Sequence, residues 1–296
     1  MPLNDLYRTL LDRLAAGLVQ LPDKPEETPE STLRALWYTA AGQPRSVMAA
    51  RDGDLPALPA DGAPRQILER LVDRRLAGVP LAHLTGRQHF MGLEMLAGPA
   101  ALVPRRETEL LARAAIELAH RMSVRVLDVC TGCGNLALAI ARHVPHAEVF
   151  GADLSADAVT LAIRNAVHLG LDARVQFRAG DLLMPFDTPD FHGQVDLLTC
   201  NPPYISSARI GTMADEIASH EPRLAFDGGP FGVTILLRLI DEAPRFLRRG
   251  GWLAFEVGLG QGAALVKRLQ GHAHFREVRP LLDDDGAIRA ILACGT

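Results

Sequence analysis

The sequence predicts an α/β protein: a doubly wound parallel sheet, preceded by a small helical domain and a hairpin linker. Three observations lead there. From about residue 106 onward, short apolar runs alternate with helical patterns, the sequence form of strand–helix–strand units. Residues 1–85 hold helical spacings throughout, interrupted by prolines and polar stretches. A glycine-rich turn follows the first apolar run of the second half, where such sheets build ligand sites. The expected division is a helical bundle over 1–85, a linker over 86–105 and the sheet domain over 106–296.

Leu6, Leu10, Leu11 and Leu14 recur at helical spacing with Asp5, Arg8, Asp12 and Arg13 among them, so this segment reads as an amphipathic helix and not as a signal peptide. Pro22, Pro25 and Pro29 break that pattern, and Ser31 or Thr32 is expected to cap a helix through Leu36, Trp37 and Ala40. Residues 52–64, with three prolines and two glycines, read as a loop. Ile67, Leu68, Leu71, Leu76 and Ala77 form a further amphipathic helix that stops at Gly78. His89-Phe90-Met91, Gly92 and Glu94-Met95-Leu96 read as a short hairpin. Beyond it the expected strands are 124–129, 148–152, 174–178, 195–199 and 252–257, with helices such as 156–169 and 233–247 between them. Two closing strands near 274–279 and 287–293 are joined by the acidic turn Asp283-Asp284-Asp285-Gly286.

Composition narrows the function classes. The chain is 48% hydrophobic and 22% charged, with a net charge of −4, a folded-protein profile. Split at Arg105, it carries 12 basic against 12 acidic residues, then 19 against 23. Neither half has the basic excess of a protein that grips a nucleic-acid backbone, so no strong nucleic-acid binding is expected. No run approaches 18 apolar residues, so no membrane span is expected. Four cysteines do not make a disulfide scaffold in a chain of this size, which favours the cytoplasm. Cys130 and Cys133 match C-x-x-C, but both sit inside the glycine fingerprint and read as small apolar fillers. A zinc site lacks a second ligand pair at usable spacing, and no metal is expected.

In the run from Val126 to Ala137, Asp128 lies in a strand, and Thr131, Gly132 and Gly134 form the turn into a helix. Gly132, Gly134 and Ala137 fit the G-x-G-x-x-G/A pattern, in which absent side chains let a ligand approach the backbone. Asp153 ends the next strand, where a carboxylate can accept from both hydroxyls of a ribose. Nicotinamide cofactors and S-adenosylmethionine both fit these features. Asp128 tilts the choice, because a carboxylate just before the glycines suits a cationic amino-acid tail and not a pyrophosphate. Gly180-Asp181 ends the third strand, where the acid can accept from an adenine amino group. Each aspartate alone reads equally well as a helix cap or turn residue; together they favour a nucleoside.

The fourth strand runs into Asn201-Pro202-Pro203-Tyr204. Two prolines stiffen the turn and remove donors, leaving carbonyls free to accept. With the Asn201 side chain and the Tyr204 ring, the set suits a flat group bearing an NH2. An amide nitrogen is a poor nucleophile because its lone pair is delocalised. Two fixed acceptors on its N–H groups orient that lone pair toward a methyl donor. No general base stands out among ten histidines; His89 and His220 lie closest to the motifs and read as surface or packing residues.

Asn201-Pro202-Pro203-Tyr204 is the motif of the amino-methyltransferases, and other stretches narrow the likeness. Residues 78–86, Leu102-Val103-Pro104-Arg105 with Glu107-Thr108-Glu109, Glu221-Pro222-Arg223-Leu224-Ala225, and Glu256-Val257-Gly258 with Gln261 resemble the HemK family. Its members are protein-glutamine N5-methyltransferases that modify the Gly-Gly-Gln motif of peptide release factors. The resemblance implies a Rossmann-like class I methyltransferase sheet, S-adenosylmethionine as cofactor with S-adenosylhomocysteine as product, and a release factor as partner. It implies that Asp153 holds the ribose, that Asp128 and the loop of Thr131, Gly132 and Gly134 hold the methionine end, and that Asp181 lies by the adenine. Asn201, beside the cofactor, and the Pro202 carbonyl would bind the target amide with Tyr204 packed on it, making Asn201, Pro202 and Tyr204 the catalytic set. Pro203, Arg105 and Phe231 would complete the substrate side, and the N-terminal helices would dock the protein substrate.

The chain departs from the family at Cys130, Cys133, Arg106, Phe231 and Val233, and Phe231 and Arg106 bear on the substrate more than on the chemistry. Other acceptors therefore stay open: a ribosomal-protein glutamine, or a small-molecule amide or amine nitrogen. Base methylation in nucleic acid uses the same motif but lacks support from the charge. A binding module without catalysis is disfavoured by the presence of Asp128, Asp153 and Asn201 together.

Overall fold

The computed structural model describes residues 3–58, 62–121, 124–212, 216 and 219–296. Its first part holds α1 (Leu3–Gly17), α2 (Pro29–Ala40), α3 (Val47–Ala50), α4 (Ala63–Leu76) and α5 (Leu81–Thr85). Leu10, Leu14, Leu33, Leu36, Trp37 and Leu68 close a core of their own there. Two boundaries differ from expectation. Thr28, not Ser31 or Thr32, caps α2: its side chain accepts from Ser31 N at 3.2 Å. Pro29 then occupies the first turn, where a missing N–H breaks no bond. Likewise α4 starts at Ala63, so Pro64 opens that helix instead of closing the loop; residues 59–61 of the expected loop lie outside the described residues.

The hairpin pairs β1 (Arg87–Phe90) with β2 (Leu93–Leu96) across Met91 and Gly92. Both turn residues have positive φ, +48° and +79°, which suits the right-handed twist of a two-residue hairpin.

The remaining elements are α6 (Thr108–His120), β3 (Arg125–Val129), α7 (Asn135–His143), β4 (Glu148–Asp153), α8 (Ala156–His168), β5 (Val175–Ala179) and β6 (Val195–Cys200). They continue with α9 (Thr234–Phe246), β7 (Leu247–Glu256), α10 (Gly262–Gln270), β8 (Phe275–Leu282) and β9 (Ile288–Gly295). The sheet order is β5-β4-β3-β6-β7-β9-β8. The first five strands are parallel, and β9 runs antiparallel to both β7 and β8. The observed sheet is therefore mostly parallel, and β7 begins at Leu247, taking the residue expected to end the preceding helix.

Strand side chains alternate between faces, and β3 shows it: Val126 packs in the core under α6 and α7, Leu127 in the core under α9 and α10. Burial on both faces explains the near-continuous apolar runs of the central strands. The chain leaves β3 toward β4 on one side while β6 lies on the other. Open α/β sheets bind ligands at such a switch point, beyond the carboxyl ends of the strands. Among the described residues no helix is long and apolar enough to cross a membrane.

Buried charges join the two parts. Lys24 Nζ lies 2.7 Å from Glu216 Oε1, Arg75 Nη1 lies 2.8 Å from Glu216 Oε2, and Arg75 Nη2 lies 2.9 Å from Glu27 Oε2. Burial opposes ionisation of Glu216, but Lys24 and Arg75 outweigh it and hold its carboxyl below the usual range. Glu216 belongs to the stretch between β6 and α9; its partners belong to the helical part.

Candidate functional site

At the end of β3 the chain turns sharply. Thr131 N donates to Ala152 O at 2.9 Å and Gly134 N to Thr131 O at 2.8 Å. The two glycines are needed for different reasons. Gly132 has φ +56°, and the space a Cβ would enter is empty, so a ligand can reach its backbone. Gly134 has φ +84°, and a Cβ there would sit 2.9 Å from the Phe177 ring, so it serves close packing of helix on strand.

Asp128 lies beneath this loop, fully buried. Its carboxylate accepts from Thr131 Oγ1 at 2.5 Å and Thr199 Oγ1 at 2.7 Å. Burial pushes its pKa up to about 6, against the pull of those hydroxyls. It is not among the described residues lining the neighbouring cavity. The carboxylate ties the loop and β6 to β3. A buried charge without partners is costly, and the two threonines supply them.

Asp153, at the end of β4, faces that cavity. It accepts from Gly132 N and Ser155 N, each at 2.9 Å, and burial raises its pKa. Two bonds leave its remaining lone pairs for a ligand. The cavity measures about 1070 Å³ including its open mouth and is also lined by Leu154, Ala158 and Ile235. Thr131, Gly132 and Asp181 reach its wall, yet the Asp181 carboxylate is engaged by Arg238 Nη2 at 2.8 Å and Nη1 at 3.3 Å. Both oxygens of Asp181 are bonded to Arg238, and the remaining lone pairs stay available to a ligand. Cys133 is packed into the core and its thiol is pushed up to about 12 by burial, whereas Cys130 faces the cavity.

The Asn-Pro-Pro-Tyr turn follows β6 and divides two cavities. Pro203 lines the first; Pro202 and Tyr204 line a second of about 540 Å³; Asn201 lines both. Asn201 Nδ2 donates to Thr108 Oγ1 at 3.0 Å, so its Oδ1 is left as an acceptor. Tyr204 Oη donates to Glu256 Oε1 at 3.0 Å, and its backbone carbonyl accepts from Gln261 Nε2 at 2.9 Å. Burial, with the nearby Glu256 carboxyl, raises the Tyr204 pKa.

Arg105 also borders both cavities. Its Nη2 donates to Glu221 Oε1 at 2.5 Å, and Asp23 Oδ2 lies 3.8 Å from its Nη1. Burial opposes the charge on Arg105, and those two carboxylates outweigh it. Phe231 is placed elsewhere. It is 83% exposed and lines neither cavity.

Four residues at the site carried no role in the sequence reading: Asp23 and Glu107 on the second cavity, Thr108 behind Asn201, and Glu256 behind Tyr204. Glu256 carries the clearest sequence signal, an acid directly after the apolar run Trp252 to Phe255. Asp23, about 180 residues from the motif it faces, carries none.

Comparison with known proteins adds the family. A methyltransferase domain model matches residues 120–257. The release factor glutamine methyltransferase of Moorella thermoacetica is 37% identical over 294 residues, 99% of this chain and 98% of that protein. The protein of the same description from Gloeobacter violaceus is 36% identical over 232 residues, 78% and 80% of the two chains. Among solved structures, the hMettl16 catalytic domain in complex with the MAT2A 3′UTR hairpin 6 superposes with a TM-score of 0.55 at 14% identity, over 69% of this chain and 76% of that one. The human methyltransferase 10 domain containing protein gives 0.50 at 17%, over 69% and 88%. Both share the fold. The Moorella relative extends over nearly the entire length, and the chain belongs to the release factor glutamine methyltransferase family.

Proposed function

We propose that this protein transfers a methyl group from S-adenosylmethionine to the side-chain amide nitrogen of a glutamine in a peptide release factor, within its Gly-Gly-Gln motif. The observation that carries the reading is Asn201, whose side-chain amide stands where a nucleoside-sized cavity meets a smaller second one. The names of the sequence relatives support the choice of acceptor.

The first cavity fits the cofactor's chemistry. Gly132 leaves open space over its backbone, Asp153 keeps acceptor capacity for a ribose diol, and Leu154 and Ile235 give apolar cover for a base. Bound there, the cofactor supplies an electrophilic methyl on a sulfonium, and S-adenosylhomocysteine remains afterwards. The chain's own work is positional. Asn201 Oδ1 and the Pro202 carbonyl accept the two N–H groups of the target amide, aiming its lone pair across the boundary between cavities. Tyr204 covers the amide from the second cavity, and Arg105 holds that wall through Glu221. The product nitrogen then loses its surplus proton to water, so no dedicated base is required.

The test is the intact mass of a purified release factor after incubation with this protein and S-adenosylmethionine, followed by peptide mapping. One added methyl on the Gly-Gly-Gln glutamine, lost in Asn201→Ala, is the expected result. Cofactor binding without methylation of the release factor would shift the reading to a ribosomal-protein glutamine or a small-molecule nitrogen.

A further inference from the structure

The Asn-Pro-Pro-Tyr turn is gripped from behind by two residues outside the methyl-transfer scheme, Thr108 on α6 and Glu256 on β7. Both are buried, at 1% and 2% exposure. Thr108 takes the Asn201 amide and Glu256 takes the Tyr204 hydroxyl, each at 3.0 Å.

Chemistry sets the direction of these bonds. The Thr108 oxygen accepts from Asn201, so its own proton needs another acceptor. The Thr108 hydroxyl is near enough to Glu256 to draw the pKa of that carboxyl down. Glu256 Oε2 is buried with no donor yet seated on it at hydrogen-bond geometry. An ionised carboxylate is acceptor-only, so it obliges both neighbouring hydroxyls to point their protons inward. A protonated carboxyl carries a donor of its own and releases one of them. Released, Thr108 no longer selects the Asn201 rotamer. A flipped Asn201 would then present NH2 to the NH2 of the target, donor against donor.

We propose that Glu256 and Thr108 are positioning residues whose hydrogen bonds hold the Asn201 amide with its oxygen toward the acceptor cavity and hold Tyr204 beside it. Its consequence for catalysis rests on the methyl-transfer reading; its geometry does not. Four groups face Glu256: Tyr204 by its hydrogen bond, Thr108 and Arg289 of β9 favouring its charge, and Glu107 opposing it. Burial outweighs the favourable contacts and pushes the carboxyl up to about 7. The lock is therefore engaged above that pH and slackens below it.

The chain has four asparagines, Asn4, Asn135, Asn165 and Asn201, so ¹⁵N-asparagine labelling isolates the relevant side-chain amide, assigned by its disappearance in Asn201→Ser. The Asn201 NH2 signals are expected to titrate with a midpoint near 7 and to be flat in Glu256→Gln. Signals that stay still in the intact protein from about pH 5 to 9, well to either side of an ordinary carboxyl shifted by burial, overturn the proposal. In methyl transfer, Glu256→Gln and Thr108→Val should each lower kcat by about tenfold to a hundredfold, the scale of a displaced reactive group, with cofactor Kd nearly unchanged. Thr108→Ser should recover most of the loss; Thr108→Val at full kcat would contradict the lock. If Glu256→Gln fails to fold, the titration of the intact protein and the two Thr108 variants decide. If the intact protein methylates no release factor, the methyl-transfer reading fails, and the titration still judges the lock.

Discussion

The two cavities that meet at Asn201 are built by different means. The cofactor side is largely a backbone construction: the 130–136 turn, the end of β4 and the start of α8 lie close in the chain and are set by glycine conformation and main-chain donors to Asp153. The acceptor side is a side-chain construction. Asp23, Glu107, Tyr204 and Phe226 come to it from four distant stretches. Its outer wall, between β6 and α9, is tied to the helical part through Lys24, Arg75 and Glu216. Backbone sites tolerate sequence drift outside a few positions. Side-chain sites depend on buried partners far from the chemistry, and those partners are where a small change does most harm.

The largest effect should therefore come from a residue touching neither cavity. Glu216→Ala strands Lys24 in a buried setting and leaves Arg75 with Glu27 alone, and breaking such a network costs about 3–5 kcal/mol. Denaturant unfolding should show that loss. Acceptor KM should rise while cofactor Kd stays within about threefold, since stability changes far from a site seldom alter its contacts. A matching loss of cofactor affinity would mean that the two cavities are not separately supported. Next in size is Asn201→Ala, which removes a fixed polar contact at the reacting nitrogen. The rate should fall on the order of 10²–10³-fold, the scale of losing one aligned polar group at a transition state. Cofactor affinity should fall far less, because Asp153 and the glycine turn remain. Equal losses in both would place Asn201 on the cofactor side alone.

The same contrast explains what could be read from the sequence. The sheet domain and the glycine turn were legible because strand alternation and G-x-G-x-x-A are local patterns that the backbone itself enforces. Asp153 was legible for the same reason, as the acid ending the second strand. Asp128 was legible as an acid before the glycines, whereas sequence does not reveal that Thr131 and Thr199 donate to its oxygens. The tie of Asp181 to Arg238, a partner 57 residues away, was likewise hidden. On the acceptor side the four-residue motif, Arg105 and Phe231 were given roles, while Glu107, Thr108 and Glu256 stood out only inside family-like stretches. Thr108, Glu256 and Asp23 acquire their meaning from tertiary contact, which no window of residues contains.

A smaller effect, confined to the cofactor side, should follow Asp153→Asn. The amide keeps the shape but loses the charge that accepts from Gly132 N and Ser155 N. Charge-assisted hydrogen bonds contribute about 1.5–3 kcal/mol each, so cofactor Kd should weaken roughly tenfold to a hundredfold. Titration calorimetry would measure it, and acceptor KM at saturating cofactor should not move. Because burial raises the Asp153 pKa, its charged form is lost earlier on acidification than for an ordinary aspartate. Cofactor affinity in the intact protein should accordingly decline as pH falls, with a weaker decline in Asp153→Asn.

The smallest effect should come from Phe231, the residue whose position in the chain most suggested a role in acceptor choice. Its ring stands in solvent beside a loop that is itself fixed: a Cβ on the neighbouring Gly232 would lie 2.2 Å from the Tyr204 carbonyl. The backbone there supports the motif, while the side chain touches neither cavity. Phe231→Ala should leave stability within about 0.5 kcal/mol, as for most exposed truncations. Cofactor Kd and methyl transfer to a short glutamine peptide should stay within about twofold for the same reason. An intact release factor is a different probe, because a large partner can cover an exposed ring that a short peptide never meets. A KM increase confined to the intact protein would make Phe231 a docking contact outside the acceptor cavity. A loss of about tenfold with the short peptide, more than surface truncation produces, would instead place the ring on the acceptor wall during turnover. The acceptor side would then be completed by a loop movement, and the contrast between a backbone-built and a side-chain-built cavity would widen.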